Sequence, residues 1–148
     1  LQQMFLDEKA LKENNVIIML SYIESMLDNV IGKDLILSHN NIIGTGGTVT
    51  TLASITHEIP AIKISPDVMN GLKITKDQVY HLFERLIGST LTERKAMKGM
   101  DPDRADVIPA GVGIVMKILE HFGAQEITVS LSDLLEGVLI ELGRSMKK

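Results

Sequence analysis

The sequence predicts an α/β domain rich in helix and poor in strand, and three observations carry that prediction. Apolar Ile42-Ile43 run into a turn holding Gly44, Gly46 and Gly47, followed by the helix-compatible stretch Thr48–Ala53. Elsewhere apolar residues recur at spacings of three and four, giving about five or six helices. Only one other stretch, Glu126–Ser130 with apolar Ile127 and Val129, alternates as a convincing strand.

In chain order, residues 1–11 mix apolar and charged positions without a firm period and read as a short turn or helix end. From Lys12 to Ile31 the residues Val16, Leu20, Ile23, Leu27 and Val30, with Met19 and Met26 beside them, form one face of an amphipathic helix that Gly32 stops. That stripe is core packing. Asp34–Asn41 leads into the first strand, and a helix begins near Thr48. His57–Gly71 is a connector broken by Pro60 and Pro66. Thr75-Lys76-Asp77-Gln78 has the capping-box form, so a helix starts there, buries Val79, Leu82, Phe83, Leu86 and Ile87, and ends at Gly88. Thr90–Lys98 reads as a further short helix, and Gly99–Asp106 as a polar turn. Val107–Phe122 is apolar almost all round. A helix of that kind is buried, and Gly111 and Gly113 let a neighbouring backbone come close. After the strand at Glu126–Ser130, Ser132 is expected to cap a last helix through Leu134, Leu135, Val138, Leu139 and Leu142, ending in the basic Lys147-Lys148. Two strands alone make a poor sheet. Further strands are therefore expected upstream of this chain, which starts at Leu1 and reads as a piece of something larger.

Composition excludes several function classes. The 148 residues suffice for one domain with a real core, and with 45% hydrophobic but only 3% aromatic residues that core must be Ile, Leu, Val and Met. The lack of tryptophan and the net charge of −4 argue against nucleic acid as a partner, but leave room for one small phosphate pocket. With no cysteine there is no disulfide framework or thiolate metal site, consistent with a cytoplasmic location. No apolar run is long enough to span a bilayer. His39, His57, His81 and His121 are scattered without metal-ligand spacing, and Glu136 reads as a solvated carboxylate rather than a general base.

The glycine turn is where chemistry would sit. The first N–H groups of a helix lack intrahelical partners and lie at the positive end of its dipole, so they suit a phosphate. The hydroxyls of Thr45, Thr48, Thr50 and Thr51 would add donors. The stretch has neither the lysine of a P-loop nor the third glycine of a dinucleotide fingerprint, where Val49 stands. From spacing alone, a ligand-free strand-to-helix turn reads equally well.

Three stretches together resemble one family. Ile43-Gly44-Thr45-Gly46-Gly47-Thr48-Val49-Thr50-Thr51-Leu52-Ala53 is similar to the Gly-x-Gly-Gly-Thr-x-Thr-Thr-Leu-Ala segment of the Ppx/GppA phosphatases, the exopolyphosphatases and guanosine pentaphosphate phosphohydrolases. Arg104-Ala105-Asp106-Val107-Ile108-Pro109-Ala110-Gly111 resembles the family's Arg-Ala-Asp-x-Ile-x-Ala-Gly element. Val129-Ser130 and Glu136-Gly137-Val138-Leu139 resemble its closing motif, and order and spacing agree over most of the chain. The resemblance implies an actin-like fold of two ribonuclease-H-like domains with the active site in the cleft between them. It makes residues 1–148 most of the second domain, truncated, without the first domain and its catalytic acid. The implied reaction is Mg²⁺-assisted attack of water on a terminal phosphoanhydride of polyphosphate or guanosine pentaphosphate, with no magnesium ligand identified in this chain.

Carried over residue by residue, Gly44, Thr45, Gly46, Gly47 and Thr48 would line the phosphate or nucleotide side of the cleft. Arg104 would pair with a ligand phosphate, and Ala110 and Gly111 would belong to the hinge-side helix. For Arg104 an internal salt bridge to Asp101, Asp103 or Asp106 is the equal alternative. The sequence departs from the family at Leu131, Asp133 and Leu135 in the closing motif, and at Asn70, where histidine is frequent. Those departures bear on substrate choice. Two rival readings remain: a non-catalytic sensor binding polyphosphate or guanosine tetraphosphate, and a structural domain whose cut face self-associates, as in a homodimer.

Overall fold

The computed structural model describes residues 13–31, 41–132 and 134–145. It contains helix α1 (Glu13–Ile31), strand β1 (Asn41–Gly44), α2 (Gly47–Thr56), the one-turn α3 (Pro66–Met69), β2 (Lys73–Thr75), α4 (Lys76–Ile87), the short α5 (Leu91–Lys95), α6 (Ile108–His121), β3 (Glu126–Val129) and α7 (Leu134–Ser145). Two 3₁₀ turns, Ala61–Lys63 and Pro102–Arg104, lie in the connectors.

Most expected elements are present near their expected bounds. The expectations for residues 1–11, Gly32, Asp34–Asn40 and Lys147-Lys148 lie outside the described residues, and so do Asp133 and the side chain of Leu135. The expectation of only two strands is corrected: Lys73–Thr75 forms a third, and the sheet runs β1-β3-β2. β3 lies in the middle, parallel to β1 (Ile42 opposite Ile127) and antiparallel to β2 (Ile74 opposite Ile127). The pairing supplies what local sequence does not, because a three-residue strand has one inward side chain, here the fully buried Ile74.

α6 is the centre of the molecule. It packs against α1, α2 and α4, and eight of its residues, from Ile108 to Leu119, are buried. The apolar periodicity of α1 supplies Val16, Met19 and Ile23 to the same core, α4 supplies Val79, Leu82, Phe83 and Leu86, and the sheet adds Ile74, Ile127 and Val129. Met and Leu do much of the filling (Met19, Leu52, Met69, Leu86 and Leu119 are fully buried), in keeping with a chain almost without aromatics. The capping box predicted at Thr75 forms, with Gln78 N–H on the Thr75 hydroxyl and the Gln78 side chain on Thr75 N–H. On the outside, α7 leaves Val138, Leu139, Ile140 and Leu142 exposed, and α1 leaves Ile17, Ile18, Met26 and Val30. A groove of about 320 Å³ along α1 is lined by apolar residues such as Ile23, Leu27 and Ile114.

Candidate functional site

The site grows out of the carboxyl end of β1. Gly44 ends the strand, and a side chain there would run into Ile127 and the Val49 methyl (2.8 Å). Its place is therefore close packing of the strand end rather than ligand contact. Gly46 then turns the chain with φ 86°, a left-handed conformation that glycine adopts without strain, and serves as the N-cap of α2. No side chain caps this helix and no acidic residue sits in its first turn. The N-terminal N–H groups of a ten-residue helix therefore face outward beside a residue without a side chain, the arrangement an anion favours.

Arg104 completes it. Its guanidinium lies directly on Gly47, so that a Cβ at Gly47 would occupy the same space. The Pro102–Arg104 turn delivers it there. Asp101 opens that turn by accepting the Asp103 N–H, and its other carboxylate oxygen lies 3.4 Å from Arg104 Nε. Of the three aspartates considered as partners, Asp101 is the one paired. Both side chains are about half exposed, and such a pair contributes little to stability, which leaves the guanidinium free to engage a stronger acceptor.

Below Arg104 a cavity of about 320 Å³ opens between α2 and the loop after α5, bordered by Gly47, Thr51 and Ser54 on one side and by Gly99, Asp101 and Arg104 on the other. Ser54 is fully buried and its hydroxyl has no protein partner among the described residues, so the cavity wall offers an unused donor and acceptor. Gly99 (φ 82°) touches the backbone of Ser54 and brings the two walls together. Sequence reasoning passed over Ser54, Gly99 and Asp101 as lining residues. The only signal was the polar turn at Gly99–Asp106, which says nothing about what it faces.

The remaining predicted residues fall as follows. Thr45 is exposed beside the turn. Thr48 packs on Gly111, whose missing Cβ would lie 2.7 Å from the Thr48 methyl, and Ala110 is buried in the same helix. Gly111 thus lets α2 and α6 come close, and Thr48 is engaged in that contact. The Thr50 hydroxyl donates to the Gly46 carbonyl (3.1 Å), and Thr51 is buried. Three of the four threonines are thus taken up by the protein's own structure, and Thr45 is the exposed one. The third stretch arrives at the same end of the sheet, where Ser130 N–H donates to the Gly44 carbonyl at 2.9 Å. Asn70, one of the departures, has work of its own: its side-chain oxygen accepts the Leu131 N–H at 2.6 Å and ties the exit of β3 to the start of β2.

The three described histidines are apart. His57 contacts the Lys73 carbonyl, His81 lies near Glu84, and His121 lies 3.5 Å from Asp28. Among the described residues no three His, Asp or Glu side chains converge as a closed metal cage, whereas magnesium is usually held by one or two carboxylates together with substrate phosphates. Among the described residues no helix is long and apolar enough to cross a membrane.

Residues 1–145 match the Ppx/GppA phosphatase family. Exopolyphosphatase 2 of Mycobacterium tuberculosis is 31% identical over 104 residues, covering 68% of this chain and 32% of that protein. The guanosine-5′-triphosphate,3′-diphosphate pyrophosphatase of Pseudoalteromonas atlantica is 20% identical over 139 residues, 94% of this chain and 26% of that one. Among solved structures, the Ppx/GppA family member of Aquifex aeolicus superposes with a TM-score of 0.85 at 28% identity, covering 99% of this chain and 46% of that one. The chain thus spans less than half the length of the relatives it matches, and within that span it has their actin-like fold. The glycine turn, the Arg104 turn and the end of β3 meet on one edge of that fold, and the chain they belong to is a member of the Ppx/GppA phosphatase family.

Proposed function

We propose that this chain forms the phosphate-binding wall of a phosphohydrolase that removes terminal phosphate from inorganic polyphosphate or from guanosine pentaphosphate. One observation carries the proposal: Arg104 lies across Gly47 at the uncapped start of α2, so a planar cation and a set of helix N–H groups converge on one point. Phosphoanhydride hydrolysis depends mainly on positioning and charge neutralisation, and those are what this wall supplies. Thr45, Gly46, Gly47 and Arg104 would hold the phosphates, with Gly44 and Thr48 supporting the turn from behind. The wall has no general base of its own on this reading. The acid–base group and the magnesium site belong to another domain, which residues 1–148 would face as the second half of a cleft, with Ala110 and Gly111 on the hinge side. When bound, magnesium would neutralise phosphate charge there. The names of the relatives support the substrate class.

The test is calorimetric titration of the chain with tripolyphosphate and with guanosine tetraphosphate, alongside Arg104→Ala. Saturable binding to either ligand, weakened about tenfold or more by the substitution, is the expected result. Binding that Arg104→Ala leaves untouched would remove the wall from the mechanism. Hydrolysis is expected to be undetectable in the same samples; turnover by this chain alone would place the base here. A sensor that binds without turnover is the second reading, favoured if full-length relatives of this chain bind the ligand and leave it intact.

A further inference from the structure

Arg94 is the one arginine that the described residues bury. It stands on α5, is only 6% exposed, and takes no part in surface ion pairs of the kind that Lys98 makes with Glu58 and Arg144 with Glu141. Removing a guanidinium from water is costly unless its donors are used, and an aliphatic side chain would fill the same space without that cost. One of its donors has a specific target. Nη1 donates to the carbonyl of Ala105 at 3.0 Å, while Nε has no protein partner among the described residues. Ala105 is fully buried and directly follows Arg104 in the chain. Burial pulls the Arg94 guanidinium below its ordinary value, and the charge of Asp106 opposes that pull, so the charge sits against the same turn.

The turn is therefore held at both ends. Asp101 holds its entrance by capping Asp103 N–H and accepting the Arg104 N–H through its carbonyl (2.9 Å). At the exit, the backbone bonds from Ala105 to Pro102 (3.4 Å) and from Val107, the N-cap of α6, to Arg104 (3.1 Å) are local, and neither reaches across to α5. Arg94 supplies that tie. We propose that Arg94 is a positioning residue: by anchoring the Ala105 carbonyl to α5 it sets the direction in which Arg104 leaves the turn and lies over Gly47. α5 is five residues long, and its start is secured by a capping box in which Thr90 and Glu93 exchange hydrogen bonds, so the anchor is itself fixed.

The claim about Arg104 geometry stands apart from the phosphate-wall reading, and the experiment separates them. Isotope-labelled chain, Arg94→Met and Arg94→Lys are compared through the Arg104 Nε–H resonance and the amide exchange of Asp103–Val107, with tripolyphosphate titrations in parallel. Ile74→Ala, in β2, serves as a variant that lowers stability from another element. In Arg94→Met the Arg104 Nε–H signal is expected to move toward that of free arginine, the turn amides to exchange about tenfold faster or more, and tripolyphosphate affinity to fall about tenfold. Arg94→Lys, which keeps a charged donor, should lie between, and Ile74→Ala should leave the Arg104 signal in place. An unchanged Arg104 signal and unchanged exchange in both arginine variants would overturn the proposal. If Arg94→Met does not fold, Arg94→Lys decides by the same two readouts. Failure of the wild-type chain to bind tripolyphosphate would count against the phosphate wall only, since the resonance and exchange comparison needs no ligand.

Discussion

Gly47 and Gly99 border the same cavity, and both lack room for a methyl group, but what stands in the way differs. At Gly47 the obstacle is the tip of the Arg104 side chain, which can swing away. At Gly99 it is the Ser54 backbone, and φ 82° adds strain for any residue with a Cβ. Gly47→Ala is therefore expected to leave folding stability within about 0.5 kcal/mol, since alanine favours the helix, while displacing Arg104 and weakening tripolyphosphate binding about tenfold. Gly99→Ala should cost upward of about 2 kcal/mol of stability. Thermal unfolding and calorimetry on the two variants check both statements. A large stability loss in Gly47→Ala would mean that Arg104 is held rigidly in place by more than its turn. Both Gly47 and Arg104 were legible in the sequence through the motifs they belong to. Their contact was not, because nothing local records which turn faces which helix start. Ser54 shows the same limit: a serine inside a helix pattern carries no sign that its hydroxyl will be left without a partner.

Helix starts were the most legible elements, because a cap is chemistry among four consecutive residues. Thr75 and Gln78 announced α4, and the structure repeats the device at Thr90 and Glu93. The second box was legible by the same pattern and was overlooked within a stretch assigned simply to a short helix. Glu93 accepts the Thr90 N–H at 2.7 Å and the Thr90 hydroxyl at 2.8 Å, and the backbone bond first and the hydroxyl second hold its carboxyl below the ordinary 4.5. The ionised form is thus favoured by folding. Its contribution is present above the unfolded value and disappears as pH falls through the lowered folded one. Acidification below about 4.5 should accordingly loosen the start of α5 and, through Arg94, the Arg104 turn. Amide exchange of Thr90–Lys95 followed against pH measures this, with Glu93→Gln expected to flatten the profile while keeping the cap. A profile identical in wild type and Glu93→Gln would assign the acid response elsewhere. β2 marks the opposite case. Lys73-Ile74-Thr75 has too few residues for a period and one apolar side chain, so only pairing with β3 defines it.

At the scale of the molecule, the exposed apolar residues of α7 and α1 stand out against a well-filled core. Val138, Leu139, Ile140 and Leu142 lie within little more than one turn of α7, each about half or more exposed. Contiguous apolar surface of this kind marks contact with other protein. The chain alone is expected to self-associate as its concentration rises, and Leu139→Lys with Leu142→Lys to suppress it, as sedimentation velocity would show; association unaffected by the pair would move the contact to the α1 groove. The amphipathic pattern of both helices was legible, but a pattern predicts a buried face without saying whether the covering surface lies in the same chain. The sheet has a temporal side as well. Its middle strand is the last one in the sequence, so β1 and β2 have no ladder partner in this sheet until Glu126–Val129 exists. During synthesis the helices can assemble while the chain is still emerging, at roughly 5–20 residues per second, but among the described residues β1 gains its ladder partner only once Glu126–Val129 has been made. The glycine turn hangs from β1, so among the described strands the support of the candidate chemistry is completed by the strand that is synthesised last.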